Sequence, residues 1–396
     1  MQKMAVDDAL SIRDFFESLH ENHMGNRIGR VGYKFLADML DGIHQTRSVN
    51  LTTIARGLNE KIRLHATHKR LSRNLDDENI LNILSNTLLY EGAVAVEADT
   101  KLIITMHDLN KKYASKIEYL SELGEEQDSG FRVCEVLAVN HKAESYYPLH
   151  ASIWSDQIPG FIDDATEVIK VIEKVFEATK NKGMLFLDDL TLPNNVITQI
   201  ILQSRFNFIS MANYFAPEIE FEDETYSASS LADKLETTYG KMMFKYVPGD
   251  PVGSMGTDVD LFVHAGAFPV KLVKTGETLR LITLKNRNRF VGEVSVPILT
   301  TAKNLKSRKN LMGLVDSYLS KNDVLLQHRY YREQFDLSGF RVLKFSRLNL
   351  LITLVQAVMF YEISSGSYIM KKTPLFSKEP HEGNMNRTYY KPDKNG

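Results

Sequence analysis

The sequence has very little cysteine and no long apolar run. One of its 396 residues is a cysteine, Cys134. A single cysteine excludes a disulfide framework and a metal site made of several thiolates, a composition typical of a reducing compartment. The longest apolar stretch, residues 348–361, is interrupted by Asn349 and Gln356 and is shorter than the roughly 20 residues that cross a bilayer. The sequence therefore predicts a cytoplasmic protein without a membrane span, and a buried helix for this stretch.

The chain also lacks an excess of charge of either sign. Its 48 Lys and Arg face 50 Asp and Glu, and the net charge is −2. This balance excludes a uniformly basic nucleic-acid coat and an acidic disordered chain. With 43% apolar residues the protein can bury a sizeable core. Any site for a polyanion must therefore be local.

One segment, residues 44–74, is strongly basic. It holds seven Arg or Lys against Glu60 alone, a net charge of +6. Residues 48–58 predict a capped helix that buries Ile54, and the basic stretch after it predicts a second helix, as in a helix-turn-helix pair. The residues that we expect to contact DNA phosphates are Arg56, Lys61, Arg63, Lys69, Arg70 and Arg73. A solvated basic helix face without a ligand is the alternative interpretation.

Hydrophobic periodicity predicts an α/β protein with five segments. These are a helical domain over 1–90, the first part of a core over 91–215, a β-rich insertion over 216–300, a C-terminal helical part of the core over 301–366, and a weakly ordered tail over 367–396. Within the first part of the core, the predicted order of elements is βββαβαβ.

Two aspartates are candidates for metal chemistry. Asp99 is predicted in the C-terminal half of a strand, and Asp188 ends the apolar run MLFLDD. Carboxylates at neighbouring strand ends suit Mg²⁺ or Mn²⁺, which prefer oxygen ligands. Each aspartate alone is also consistent with a strand cap or a turn. The scattered histidines, including His107, form no convincing ligand set with them.

Three strings in the sequence resemble one protein family. They are residues 68–75 (HKRLSRNL), residues 98–100 (ADT) and residues 108–120 (DLNKKYASKIEYL). Over residues 35–363 the chain is similar to bacterial insertion-sequence transposases of the DDE superfamily, the cut-and-paste kind with a YREK signature. The resemblance implies an RNase H-like core with a β insertion and an all-helical N-terminal DNA-binding domain.

The resemblance also implies an activity. In the family, acids bind two Mg²⁺ or Mn²⁺ ions, water attacks a phosphodiester at the transposon end, and the freed 3′ hydroxyl attacks target DNA. The implied partners are double-stranded DNA, as transposon ends and target, and a second copy of the chain in a synaptic homodimer. Asp99 and Asp188 match the first two acids.

The third acid is ambiguous. If Tyr318, Lys321 and Arg332 match the YREK helix, Leu325 falls where the acid belongs; a second register keeps Arg329 and Glu333 at the required spacing. We therefore expect Asp99, Asp188 and Glu333 to form the catalytic and metal-binding set, with Asp323 and Asp336 as other nearby carboxylates. Asp188-Asp189-Leu190 also replaces the family's Asp-Arg-Gly.

The sequence leaves three functions open. The first is a cut-and-paste DNA transposase. The second is a degenerate or repurposed relative that binds DNA without cutting it. The third is an α/β protein without a nucleic-acid role, which leaves the basic segment unexplained. A third carboxylate within reach of Asp99 and Asp188 separates the first from the second.

Overall fold

The computed structural model divides the chain into two compact units. The first comprises Met1–Ser210 with His328–Met370, and the second comprises Met211–Gln327 with Lys371–Gly396. The structure describes residues 11–111, 116–123, 128–140, 145–203, 205–212, 216–247, 257–288, 292–366 and 376–377. The predicted tail, apart from residues 376 and 377, and residues 112–115 of the transposase-like string lie outside this part of the chain.

Five α-helices are described at the start of the first unit. They are α1 (Ile12–Leu19), α2 (Gly29–Thr46), α3 (Leu51–Gly57), α4 (Leu64–Asn74) and α5 (Glu78–Ala93). Polar caps begin α3 and α5: the Asn50 side chain accepts from the Thr52 and Thr53 amides, and Asp77 caps α5 in the same way. Helices α2 and α3 approach closely at Gly42, where an added Cβ would lie 2.5 Å from Ile54. A larger residue at position 42 would push the two helices apart.

A mixed sheet follows the helices. It contains β1 (Lys101–Asn110), β2 (Ser121–Leu123), β3 (Asp128–Asn140), β4 (Ser145–Trp154), β5 (Met184–Leu187) and β6 (Phe208–Met211). Its central order is β6-β5-β1-β3-β4, with β2 also paired to β3. Strands β1, β5 and β6 are parallel neighbours, and β3 is antiparallel to both β1 and β4. Helix α6 (Asp164–Ala178) connects β4 to β5, and helix α7 (Asn194–Gln203) connects β5 to β6.

The first strand starts later than we predicted. The sequence predicts Asp99 in the C-terminal half of this strand, yet α5 continues to Ala93 and a turn leads to Lys101. Val94 is 83% exposed, and its amide donates to the Tyr90 carbonyl, so this apolar run ends a helix. Apart from this shift and the short β2, the element order is the predicted βββαβαβ in a mixed α/β unit.

The most apolar segment forms α10 (Phe345–Ser364), in which residues from Leu350 to Glu362 are buried. The prediction of a buried helix for residues 348–361 is confirmed. No helix in the described ranges combines the length and the apolar character needed to cross a membrane. The preceding helix, α9 (Arg308–Arg332), contributes its last turn to the first unit.

The second unit is rich in strands. It contains β7 (Ile219–Phe221), β8 (Glu224–Tyr226), α8 (Ala228–Lys234), β9 (Tyr239–Val247), β10 (Thr257–Leu272), β11 (Thr278–Asn288), β12 (Gly292–Thr300) and β13 (Phe376–Ser377). Strands β9 to β12 form an antiparallel meander. Helix α8 packs on β11 and β12. The β-rich character predicted for residues 216–300 is present in the described part of this segment.

Candidate functional site

Helices α3 and α4 present a basic surface. Helix α4 packs inward through Thr67 and Leu71, which are 1% and 0% exposed. Lys69 and Arg73 lie four residues apart on the opposite, exposed stripe of the helix, which His65 shares. Arg56 at the end of α3, and Lys61 and Arg63 in the α3–α4 turn, are exposed as well. We call Arg56, Lys61, Arg63, Lys69 and Arg73 the basic surface.

None of these five side chains forms an ion pair with another residue in the described segments. Their charge therefore faces solvent. Helix α4 follows α3 after the six residues 58–63, and Lys61 and Arg63 lie in this connection. The geometry suits phosphate contacts.

Arg70 differs from the other five predicted DNA contacts. Its guanidinium donates to Asp38 at 2.5 Å and to Glu60 at 2.8 Å. Asp38 is buried, and Glu60 also accepts from the Thr67 hydroxyl. Burial raises the pKa of Glu60, but Thr67 and Arg70 outweigh burial and lower it. We correct the prediction for Arg70. Its guanidinium is held by Asp38 and Glu60 and ties α4 to α2, so it does not belong to the solvent-facing basic surface.

Asp188 lies at the C-terminal end of β5, as expected, and is 3% exposed. Its amide donates to the Ile104 carbonyl of β1, so the residue of β1 beside it is Thr105. One carboxylate oxygen, Oδ2, accepts from the Thr105 hydroxyl at 2.7 Å and from the Thr191 hydroxyl at 2.6 Å. The other, Oδ1, accepts from the Leu190 amide at 3.2 Å. Both carboxylate oxygens of Asp188 thus accept hydrogen bonds, from two hydroxyls and one backbone amide.

Asp99 does not join Asp188. It lies in the exposed turn before β1, whereas Asp188 follows the end of β5. Strands β1 and β5 are parallel, with Ile104 opposite Leu187. The two aspartates therefore lie at opposite ends of the strands, separated by roughly 15 to 20 Å. The prediction that Asp99 is a strand residue sharing a metal with Asp188 is wrong, since residues 93–100 do not form the strand.

Glu333 does not complete the set either. It lies in the turn after α9, its side chain is 52% exposed, and it pairs with Arg329 at 3.0 Å. Its neighbour Arg332 instead points to the sheet, because adjacent helix positions differ by about 100°. Asp336 is exposed in the same turn, and Asp323 lies on the part of α9 that belongs to the second unit.

The metal implied by the resemblance does not fit these residues. The three acids expected to hold Mg²⁺ or Mn²⁺ lie apart, and the Asp188 oxygens already accept three hydrogen bonds. Over the described ranges, no group of three or more His, Cys, Asp or Glu is placed to hold a metal ion. A two-metal site needs several convergent oxygen ligands.

A buried charged cluster occupies the neighbouring part of the sheet. Glu135 of β3 lies opposite Thr105 of β1, and its side chain is 8% exposed. Its carboxylate oxygens lie 2.7 Å from the Arg332 guanidinium and 3.0 Å from His328 Nε2. Arg332 also lies 2.9 Å from His107 Nδ1. We call Glu135, His107, His328 and Arg332 the Glu135 cluster.

The cluster shifts the protonation of its members. Burial raises the pKa of the Glu135 carboxyl, but His328 and Arg332 outweigh burial and hold it well below its ordinary value. Burial lowers the pKa of His107 to about 3, against the opposing effect of Glu135. His107 is therefore neutral at pH 7, and its Nδ1 can accept from Arg332. A cavity of about 10 Å³ adjoins His107, Glu135 and Arg332.

Sequence reasoning missed this cluster. The signal for Glu135 is a single acid inside the apolar strand RVCEVLAV, since a buried carboxylate requires a partner. No pattern in the sequence pairs Glu135 with Arg332, which lies 197 residues away. Sequence reasoning also missed Thr105, because it assigned the β1 position beside Asp188 to Asp99, six residues earlier.

Comparisons with known proteins give little further information. No family model matches the sequence, and no curated protein matches it. A solved structure with some similarity is a cryo-EM structure of a piggyBac transposase synaptic complex with hairpin DNA. It is 9% identical, the match covers 90% of this chain and 72% of that chain, and the TM-score is 0.39.

Proposed function

We propose that the protein binds double-stranded DNA through the basic surface and does not cut it with Asp99, Asp188 and Glu333. The observation that carries the proposal is the basic surface itself, in which five exposed cations line a helix-turn-helix pair. In a chain with a net charge of −2, such a concentration of positive charge, without an ion-pair partner among the described residues, favours a local polyanion site.

The core supports the non-cutting part of the proposal. The residue of β1 beside Asp188 is a threonine, and Asp99 and Glu333 lie elsewhere. A single carboxylate that already accepts three hydrogen bonds is a poor ligand set for two metal ions. The degenerate-relative interpretation therefore has more support than the active enzyme.

Cut-and-paste transposition is the second candidate, and one observation favours it. In the central order β4-β3-β1-β5-β6, strand β3 alone runs opposite to the other four. This arrangement agrees with the RNase H-like core that the sequence resemblance implies. The homodimer, the Mg²⁺ or Mn²⁺ cofactor and the two DNA partners, transposon ends and target, belong to this candidate.

Binding and cleavage assays on one preparation separate the candidates. Fluorescence anisotropy with a duplex from the DNA flanking the gene measures binding at 50 and 200 mM salt. The same DNA in a supercoiled plasmid, with Mg²⁺ or Mn²⁺, reports nicking. We expect salt-sensitive binding without nicking. Nicking that Asp188→Asn abolishes would establish the second candidate, and the absence of binding would refute both.

A further inference from the structure

The position of Arg332 points to a cation site in the interior of the first unit. Its side chain is 17% exposed, and its NH1 group lies 2.7 Å from Glu135 Oε2 and 2.9 Å from His107 Nδ1. The His107 ring is neutral at pH 7 because burial lowers its pKa to about 3. A carboxylate and an imidazole nitrogen therefore both accept from one guanidinium nitrogen.

Outside the cluster itself, the residues that line the cavity beside this guanidinium are apolar except for Gln356. The adjoining cavity is lined by Val133, Leu337, Ile352, Val355 and Met359, besides the polar residues. A carboxylate buried in such a setting is costly unless a cation compensates it. His328 at 3.0 Å supplies a second contact to Glu135, but from its other oxygen. Removal of the Arg332 side chain would take away the guanidinium that contacts Glu135 Oε2 and His107 Nδ1.

We infer that Glu135 and His107 form a site for a guanidinium-type cation, and that Arg332 is its built-in occupant. The bound guanidinium fastens the last turn of α9 to β1 and β3, on the sheet face where Thr105 and Asp188 lie. A cation supplied by the chain thus neutralises the Glu135 carboxylate. The inference goes beyond the proposed function, because it depends on interior contacts and not on the basic surface.

The test is chemical rescue of the full-length Arg332→Ala variant. Truncation removes the guanidinium from the buried Glu135 carboxylate and leaves it only the contact with His328, and we expect the melting temperature to fall by roughly 6 to 20 °C. Guanidinium chloride at 10 to 20 mM, far below denaturing concentrations, should then bind in the vacated space. We expect it to raise the melting temperature by about 3 to 6 °C at ten times its Kd.

Three controls define what rescue means. Urea has the same planar shape without charge, and sodium chloride matches the ionic strength; neither should rescue. Arg329→Ala removes an exposed arginine three residues earlier on α9, and guanidinium should not stabilise it. Arg332→Ala combined with Glu135→Gln lacks the carboxylate and should show no rescue.

Rescue by guanidinium alone, dependent on Glu135, would establish the site. Equal rescue by urea, or a folded Arg332→Ala that guanidinium does not stabilise, would overturn it. If Arg332→Ala fails to fold, Arg332→Met is compared instead with a double variant that carries both Arg332→Met and Glu135→Gln. We then expect the double variant to melt above Arg332→Met, and a double variant no more stable than that single one would refute the inference.

Discussion

The basic surface makes a quantitative prediction about salt. Lys69 and Arg73 lie on the exposed stripe of α4 and make no ion pair within the described residues, so each can neutralise one phosphate. Each phosphate contact adds about 0.9 to the slope of log K against log salt. Lys69→Ala with Arg73→Ala should therefore reduce the slope by up to about 1.8. Between 50 and 200 mM salt this corresponds to roughly a twelvefold smaller loss of affinity.

Anisotropy titrations at four or more salt concentrations measure this slope. The matched control is Arg70→Ala on the same helix, whose guanidinium is held by Asp38 and Glu60. We expect this variant to melt at a lower temperature, because it leaves the buried Asp38 with less compensation, and to keep the wild-type slope. The placement of the DNA surface would be refuted if the salt slope were unchanged in Lys69→Ala with Arg73→Ala, or if it were reduced only in Arg70→Ala.

Three further predictions test the core. Thr105→Asp sets a second carboxylate against Asp188 in place of a hydroxyl 2.7 Å away, so its melting temperature should rise with Mg²⁺, while Thr105→Asn should not respond. Burial, with Lys174, lowers the pKa of His150 to about 3. Between pH 6.5 and pH 3 the unfolded chain binds a proton at His150 that the folded chain does not bind, so the free energy of unfolding falls by up to roughly 1.4 kcal/mol for each pH unit of acidification. His150→Gln should therefore weaken the pH dependence of stability measured by urea unfolding. Glu362 accepts hydrogen bonds from Arg47 and from Tyr331, so Glu362→Ala should lower the free energy of unfolding by about 1 to 3 kcal/mol. An unchanged free energy of unfolding in urea would show that these bonds do not stabilise the fold.

Several features were predictable because they depend on local periodicity and charge. The buried helix α10 follows from an apolar stretch with few polar interruptions. The position of Asp188 follows from an apolar run of strand length that ends in acids. The exposed charge at Lys69 and Arg73 follows from a helical stripe opposite Thr67 and Leu71.

The tertiary structure alone decided where these pieces meet. Sequence does not give the register of parallel strands, and the register places Thr105, not Asp99, beside Asp188. Sequence also does not tell which basic residue of α4 finds an acid, and only the approach of α2 pairs Arg70 with Asp38. Glu135 and Arg332 likewise meet across 197 residues. The physical reason is common to all three: ion pairs and metal sites act over a few ångströms in space, whereas the sequence pattern specifies only neighbours along the chain.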